Sequence, residues 1–216
     1  MYKTVLFDLD GTLLDTLDDL ADSVNFVLRE RGYPLHTREE ICRFVGNGVA
    51  LLMRRALPDD VTVEEAATCL TLFKEHYAVH MQDKTAPYRG VTALLGRLRE
   101  AGCRVAVISN KFDRAVKELC ACYFPGLVDV AVGESESVRR KPSPDGVLAA
   151  MHLLGGTCED SVYIGDSDVD IVTAQNAGLP CVCVAWGFRL FEELQAAGAE
   201  RIVRTTEELG SVLLGK

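Results

Sequence analysis

The sequence predicts an α/β fold in which a doubly wound parallel sheet carries an inserted, all-helical second domain. Short, almost wholly apolar runs alternate with longer amphipathic stretches along most of the chain, which is typical of parallel strands buried on both faces. One segment near the N-terminus lacks such runs. At 216 residues, the chain has room for one domain and a smaller unit.

Five brief apolar runs bounded by Gly, Asp or Pro are predicted strands: 4–9, 104–108, 128–132, 161–164 and 181–185. Helical spacing of apolar residues predicts four helices between them: 91–101, 114–123, 144–154 and 169–177. Gly102 and Gly178 lie where the C-terminal caps of two of these helices belong.

Residues 15–83 break the alternation of strands and helices. Apolar residues there recur at helical spacing and no convincing strand occurs. We therefore predict a core domain of residues 1–14 and 84–216 and a helical domain of residues 15–83. The acidic run at the start of the insert is interpreted as a solvated face: Asp15, Asp18, Asp19 and Asp22.

Composition and charge exclude several classes of protein. A hydrophobic content of 48% excludes intrinsic disorder, and a net charge of −9 argues against nucleic acid or an anionic membrane as a partner. The sequence shows neither a membrane-spanning run nor a secretory signal, so a cytoplasmic monomer or homodimer is expected. The eight cysteines are scattered without C-x2-C pairs, so we interpret them as reduced thiols and not as zinc ligands.

Polar residues follow four of the predicted strands, where ligand sites of parallel sheets lie. They are Asp8 and Asp10, then Ser109 and Asn110, then Lys141, and finally Asp166 and Asp170. Carboxylates are ligands that Mg²⁺ prefers, while a hydroxyl and a lysine can hold phosphate oxygens. Because a carboxylate can also attack phosphorus, this set predicts phosphoryl transfer.

The same residues resemble the four motifs of the haloacid dehalogenase superfamily, in the same order. The matching segments are Phe7-Asp8-Leu9-Asp10-Gly11-Thr12-Leu13, Ser109-Asn110, Lys141-Pro142 and Gly165-Asp166 with Asp170. The resemblance covers the whole chain. It implies a Rossmann-like core of that superfamily, with the insert as its C1 cap.

The resemblance also implies a role for each motif residue. Asp8 would be the nucleophile that forms an aspartyl-phosphate, and Asp10 the general acid and then the base that activates water. Ser109, Lys141 and the backbone of Asn110 would hold phosphate. The implied Mg²⁺ ligands are Asp8, the carbonyl oxygen of Asp10, and Asp166. Thr12 and Asp170 would support the site without binding the metal directly.

Two details bear on the type of enzyme. Dehalogenases of the superfamily lack the second acid of the first motif, so Asp10 indicates a phosphatase. The segment Phe44-Val45-Gly46-Asn47-Gly48-Val49 resembles a cap loop of phosphoglycolate phosphatases, and Arg54-Arg55-Ala56-Leu57 and Asn110-Lys111 extend the likeness. This likeness makes Gly46, Asn47, Gly48 and Arg55 candidate specificity residues.

The expected substrate is 2-phosphoglycolate or another small phosphorylated metabolite. A sugar-phosphate phosphatase, a phosphomutase or a pyrophosphatase on the same core remains an alternative. A phospho-acceptor signalling module is a further alternative, although such modules carry their motifs in another order and have no cap insert.

Overall fold

The computed structural model describes residues 2–215, which form two compact units. The core unit comprises the chain up to Leu14 and from Pro87 onward, and the helical unit comprises Asp15–Ala86. Within residues 2–215, no helix is both long enough and apolar enough to cross a membrane.

The core unit contains a six-stranded parallel sheet in the order β5-β4-β1-β6-β7-β8. Its strands are β1 (Thr4–Phe7), β4 (Arg104–Phe112), β5 (Val130–Glu134), β6 (Ser161–Gly165), β7 (Cys181–Val184) and β8 (Ile202–Val203). The junctions with the helical unit form a separate two-stranded sheet from β2 (Leu14–Asp15) and β3 (Ala86–Pro87).

Helices alternate with these strands, which confirms the predicted α/β class. The core helices are α5 (Val91–Glu100), α6 (Asp113–Tyr123), α7 (Asp145–Leu154), α8 (Asp168–Ala177), α9 (Phe191–Ala196) and α10 (Thr206–Leu214). Gly178 ends α8 in the left-handed conformation, as expected of a C-terminal cap.

Strand β1 lies at the centre of the sheet and determines where the site forms. Strands β4 and β5 lie on one side of β1, and strands β6, β7 and β8 lie on the other, so the strand order reverses at β1. Phe7 at the end of β1 lies level with Val107 of β4 and Ile164 of β6. The residues that follow these three positions therefore meet at one edge, where parallel sheets bind ligands.

Strand β4 is irregular where it reaches this edge. Ile108 pairs with Val132 and Phe112 with Glu134, so four steps along β4 face two steps along β5. The two extra residues form a bulge, a feature that changes where side chains point. Ser109, Asn110 and Lys111 lie within this segment, which the periodicity alone did not predict.

The C-terminal region also differs from the prediction. Strand β8 and helices α9 and α10 were not predicted, since β8 has only two residues and lies between the charged residues Arg201 and Arg204. The cap of α10 does follow the usual chemistry, because the Thr205 hydroxyl accepts a hydrogen bond from the Glu208 amide at 3.1 Å.

The helical unit consists of α1 (Leu17–Glu30), α2 (Arg38–Phe44), α3 (Val49–Ala56) and α4 (Val63–His80). Apolar side chains from all four helices form its buried interior, among them Leu28, Ile41, Met53 and Phe73.

The interpretation of the acidic run as a solvated face is wrong for one member, Asp19, which is only 1% exposed. Its carboxylate accepts hydrogen bonds from the Lys84 and Thr85 amides and from the Thr85 hydroxyl. This aspartate therefore ties the first turn of α1 to the end of the unit.

Candidate active site

Asp8 and Lys141 form a buried ion pair at the carboxyl edge of the sheet. The Lys141 Nζ atom lies 2.8 Å from Asp8 Oδ1, 2.7 Å from Asp170 Oδ1 and 3.2 Å from the Tyr163 hydroxyl. A lysine has three N–H donors, so each has an acceptor here. Burial alone would lower the pKa of Lys141, but Asp170 and Asp8 outweigh it and raise that pKa well above its usual value. Lys141 is therefore a fixed positive charge.

Asp170 is fully buried at the start of α8 and holds Lys141 in place. Its Oδ2 atom accepts hydrogen bonds from the Ser167 amide at 3.1 Å and the Ser167 hydroxyl at 2.6 Å. Its Oδ1 atom accepts from Lys141 and from Tyr163. Both oxygens are thus occupied by residues of the core unit, which is consistent with the supporting position that the resemblance implies.

Asp166 follows β6 and is held from two sides. The Thr12 hydroxyl donates to its Oδ1 atom at 3.0 Å, and the Phe188 amide donates to its Oδ2 atom at 2.7 Å. Gly11 has a φ of 87°, and a Cβ atom there would overlap the Asp166 carboxylate. The glycine of the first motif is therefore required both by its backbone conformation and by its close approach to Asp166.

Three carboxylates converge at this point. Asp8, Asp166 and Asp170 each offer an oxygen atom within 4.8 Å of the others. Burial raises the pKa of Asp8 well above its usual range, with Lys141 opposing the shift and Asp170 adding to it. Burial, together with Asp170, raises the pKa of Asp166 to about 7, against the opposing hydrogen bond from the Phe188 amide.

The charge of this cluster tests whether a metal fits. Three buried carboxylates face one lysine, and like charges at this distance repel one another. A divalent cation that prefers oxygen ligands would neutralise the excess negative charge. The donor set is entirely carboxylate, and Asp166 is already oriented by Thr12 and Phe188, so the residues present fit such an ion.

Asn110 is buried and holds Lys141 by the backbone. Its Oδ1 atom accepts a hydrogen bond from the Lys141 amide at 2.6 Å, and its Nδ2 atom donates to the Lys141 carbonyl at 3.1 Å. The family resemblance implies that Asn110 binds phosphate through its backbone N–H group. The side chain adds a second role, which is to position the loop that carries Lys141.

Asp10 and Ser109 lie on the β4 side of the edge, together with Lys111, which follows the same predicted strand as Ser109. The Ser109 hydroxyl donates to Asp10 Oδ2 at 3.2 Å, and the Lys111 Nζ atom lies 3.0 Å from Asp10 Oδ1. Lys111 is 4% exposed. Its contact with Asp10 depends on the bulge of β4.

The candidate specificity residues lie in the helical unit and are described separately. Gly46, Asn47 and Gly48 form the connection between α2 and α3, and all three are half-buried. Arg55 on α3 donates to the Phe44 carbonyl at 2.7 Å and to Asn47 Oδ1 at 2.9 Å. In this structure, Arg55 thus braces the loop of residues 45–48. Their roles toward a substrate stay predictions.

Comparison with known proteins agrees with the motifs. Residues 5–184 match the family model of haloacid dehalogenase-like hydrolases. The phosphoglycolate phosphatase of Pseudomonas putida is 34% identical over 222 residues, covering 99% of this chain and 79% of that protein. The phosphoglycolate phosphatase of Aquifex aeolicus is 31% identical over 187 residues, covering 86% of each chain.

A solved structure is similar along its full length. The crystal structure of a candidate phosphoglycolate phosphatase from Lactobacillus delbrueckii subsp. bulgaricus has a TM-score of 0.96 and 38% sequence identity, covering 100% of this chain and 99% of that chain. The family match spans β1 to β7, including every motif residue at the edge of the sheet. The chain therefore belongs to the haloacid dehalogenase-like hydrolases and is a phosphatase of that family.

Proposed function

We propose that this protein is a magnesium-dependent phosphatase that hydrolyses 2-phosphoglycolate, or a similarly small phosphomonoester, through an aspartyl-phosphate on Asp8. The observation that carries the proposal is the separation of two aspartates at the end of β1. Asp8 lies with Lys141 and two further carboxylates, whereas Asp10 lies with Ser109 and Lys111. The relatives named phosphoglycolate phosphatase support the choice of substrate.

The first half-reaction transfers the phosphoryl group to the enzyme. A carboxylate oxygen of Asp8 attacks phosphorus, and the bond between phosphorus and the ester oxygen breaks. Asp10 donates its proton to that oxygen, so the product leaves as an alcohol. Lys141 and Ser109 bind phosphoryl oxygens, and Asn110 keeps Lys141 in position through its backbone.

The second half-reaction returns the enzyme to its starting state. Asp10 accepts a proton from a water molecule, whose oxygen attacks the phosphorus atom of the aspartyl-phosphate. The acyl-phosphate bond breaks, releasing inorganic phosphate and the Asp8 carboxylate. Asp8, Asp166 and the Asp10 carbonyl would hold Mg²⁺, which would supply positive charge to the phosphoryl oxygens.

A burst experiment tests the covalent mechanism. In Asp10→Asn, p-nitrophenyl phosphate should still phosphorylate Asp8, because p-nitrophenolate leaves without a proton. Hydrolysis of the intermediate should then be slow, since no base activates water. We expect about one equivalent of p-nitrophenolate per active site, followed by slow turnover. Asp8→Asn is the control and should show no burst, and a burst from that variant would overturn the mechanism.

A substrate panel tests the choice of phosphomonoester. Phosphate release should be measured with Mg²⁺ for 2-phosphoglycolate, sugar phosphates, pyrophosphate and p-nitrophenyl phosphate. We expect the highest kcat/KM for 2-phosphoglycolate. A higher value for a sugar phosphate or for pyrophosphate would replace the proposed substrate and leave the burst result unaffected.

A further inference from the structure

Two buried lysines at the sheet edge, Lys111 and Lys141, contact different aspartates. Lys141 contacts Asp8, the proposed nucleophile, and Asp170 behind it. Lys111 contacts Asp10, the proposed acid for the leaving oxygen, at 3.0 Å. Lys111 therefore places a positive charge beside Asp10, whereas Lys141 places one beside Asp8.

The bulge of β4 builds this position rigidly. The Lys111 amide donates to Ser109 Oγ at 3.1 Å, and the same hydroxyl donates to Asp10 Oδ2. A Cβ atom at Gly133 would overlap the backbone of Asp113 and come within 2.7 Å of the Lys111 carbonyl oxygen. Glycine at this point of β5 therefore allows the close approach on which the bulge depends.

Burial makes the charge of Lys111 effective. Its side chain is 3% exposed and that of Asp10 is 15% exposed, so the ammonium group is largely removed from water. Coulombic interactions are much stronger in such surroundings than at a solvated surface. An anionic group of the substrate that comes close to Asp10 would interact with this cation with little screening by water.

We propose that Lys111 is a specificity-determining residue that binds an anionic group of the leaving alcohol, namely a carboxylate on the carbon that bears the ester oxygen. This inference rests on the proposed function and extends it from the transferred group to the leaving group. Because the Lys111 Nζ atom lies 3.0 Å from Asp10 Oδ1, a substrate whose ester oxygen meets Asp10 would bring a carboxylate on the neighbouring carbon within reach of the Lys111 ammonium group.

Three phosphomonoesters with leaving groups of similar size test the proposal. 2-Phosphoglycolate has an anionic leaving group, 2-hydroxyethyl phosphate a neutral one and O-phosphoethanolamine a cationic one. The variants are Lys111→Met and Lys111→Arg. Lys117→Met is the matched control, since Lys117 is an exposed lysine that pairs with Asp113 on the same helix, α6. The measurement is kcat/KM for each substrate in each protein.

The wild type should prefer the anionic leaving group and discriminate against the cationic one. In Lys111→Met, the ratio of kcat/KM for 2-phosphoglycolate to that for O-phosphoethanolamine should fall by about 100-fold, as expected for loss of a buried charge pair. The change in kcat/KM for 2-hydroxyethyl phosphate should lie between the changes for the other two substrates. Lys111→Arg should retain most of the ratio, and Lys117→Met should leave it unchanged.

A common loss for all three substrates would overturn the inference, because it would show that Lys111 only positions Asp10. If Lys111→Met does not fold, as judged by thermal unfolding, Lys111→Gln provides the same comparison. A wild type that hydrolyses 2-phosphoglycolate no better than 2-hydroxyethyl phosphate would overturn both the choice of 2-phosphoglycolate as substrate and the inference, whereas the phosphatase mechanism is tested separately by the burst experiment. A selective wild type whose ratio survives the loss of Lys111 would overturn the inference alone.

Discussion

The sheet edge of the core unit and the loop of residues 45–48 in the helical unit hold their polar residues in different ways. At the edge, buried side chains bind one another: Lys141 alone contacts Asp8, Asp170 and Tyr163. In the loop, half-buried residues are braced by the exposed residue Arg55. The edge is thus an interdependent network, whereas the loop can change locally.

From this difference we propose separate tasks for the two regions. Every phosphomonoester needs the same nucleophile and the same acid, so damage to the edge should affect all substrates together. Changes in the loop should alter the preference among substrates while the shared chemistry survives.

Asp8→Asn should lower kcat by at least about 1,000-fold for every phosphomonoester, since an amide is a poor nucleophile. Steady-state phosphate release measures the loss. Asp168→Asn is the matched control because Asp168 is close in sequence to the edge but exposed, with a 3.7 Å contact to Arg189. It should stay within about twofold of the wild type. Wild-type turnover by freshly purified, undeamidated Asp8→Asn protein would contradict the covalent role.

Chelation should abolish turnover and Mg²⁺ should restore it, whereas Ca²⁺ should restore it poorly because its looser coordination disturbs the in-line geometry. A second readout does not depend on activity: saturating Mg²⁺ should raise the Tm of the wild type by relieving repulsion among buried carboxylates. Asp166→Asn should lose this Mg²⁺-dependent shift while its metal-free Tm stays equal to or above that of the wild type. Full activity in excess chelator would contradict the metal requirement.

The site could be predicted from the sequence where parallel register alone determines position. Asp8, Ser109 and Asp166 each follow an apolar run, and the shared register of β1, β4 and β6 brings those strand ends together. The contact between Lys111 and Asp10 could not be predicted in this way. It depends on two extra residues in β4, and the spacing of apolar residues along the sequence does not reveal a bulge.

Burial of Asp19 shows the same limit in the helical unit. Charge and spacing place Asp19 in an acidic run, and nothing local indicates that its partners lie at residues 84 and 85. The alternation of apolar strands and helices along the chain, by contrast, is visible in the local sequence pattern, so the α/β class was predicted correctly. Strand β8 was not predicted because two residues are too few to show a pattern.

Asp19→Ala should destabilise the helical unit by about 3 kcal/mol, because three donors near residue 85 lose a buried anionic acceptor. Asp22→Ala is the control. Asp22 forms an exposed ion pair with Lys84 and should contribute less than about 1 kcal/mol. Thermal unfolding monitored by circular dichroism measures both. Equal, small effects would show that Asp19 is not an anchor and that the helical unit is as adaptable as its loop.

The smallest expected effect concerns Arg55, which holds Asn47 and the Phe44 carbonyl through two hydrogen bonds. Arg55→Met should change the ratio of kcat/KM for 2-phosphoglycolate to that for p-nitrophenyl phosphate by about 3- to 10-fold, the effect of losing one or two such bonds. The neighbouring Arg54 contacts the carbonyls of residues 58, 59 and 61 instead, so Arg54→Met should leave this ratio within about twofold. If Arg55→Met lowers kcat/KM for both substrates by the same factor, the loop supports folding in general, and the residues of the sheet edge alone determine the substrate preference.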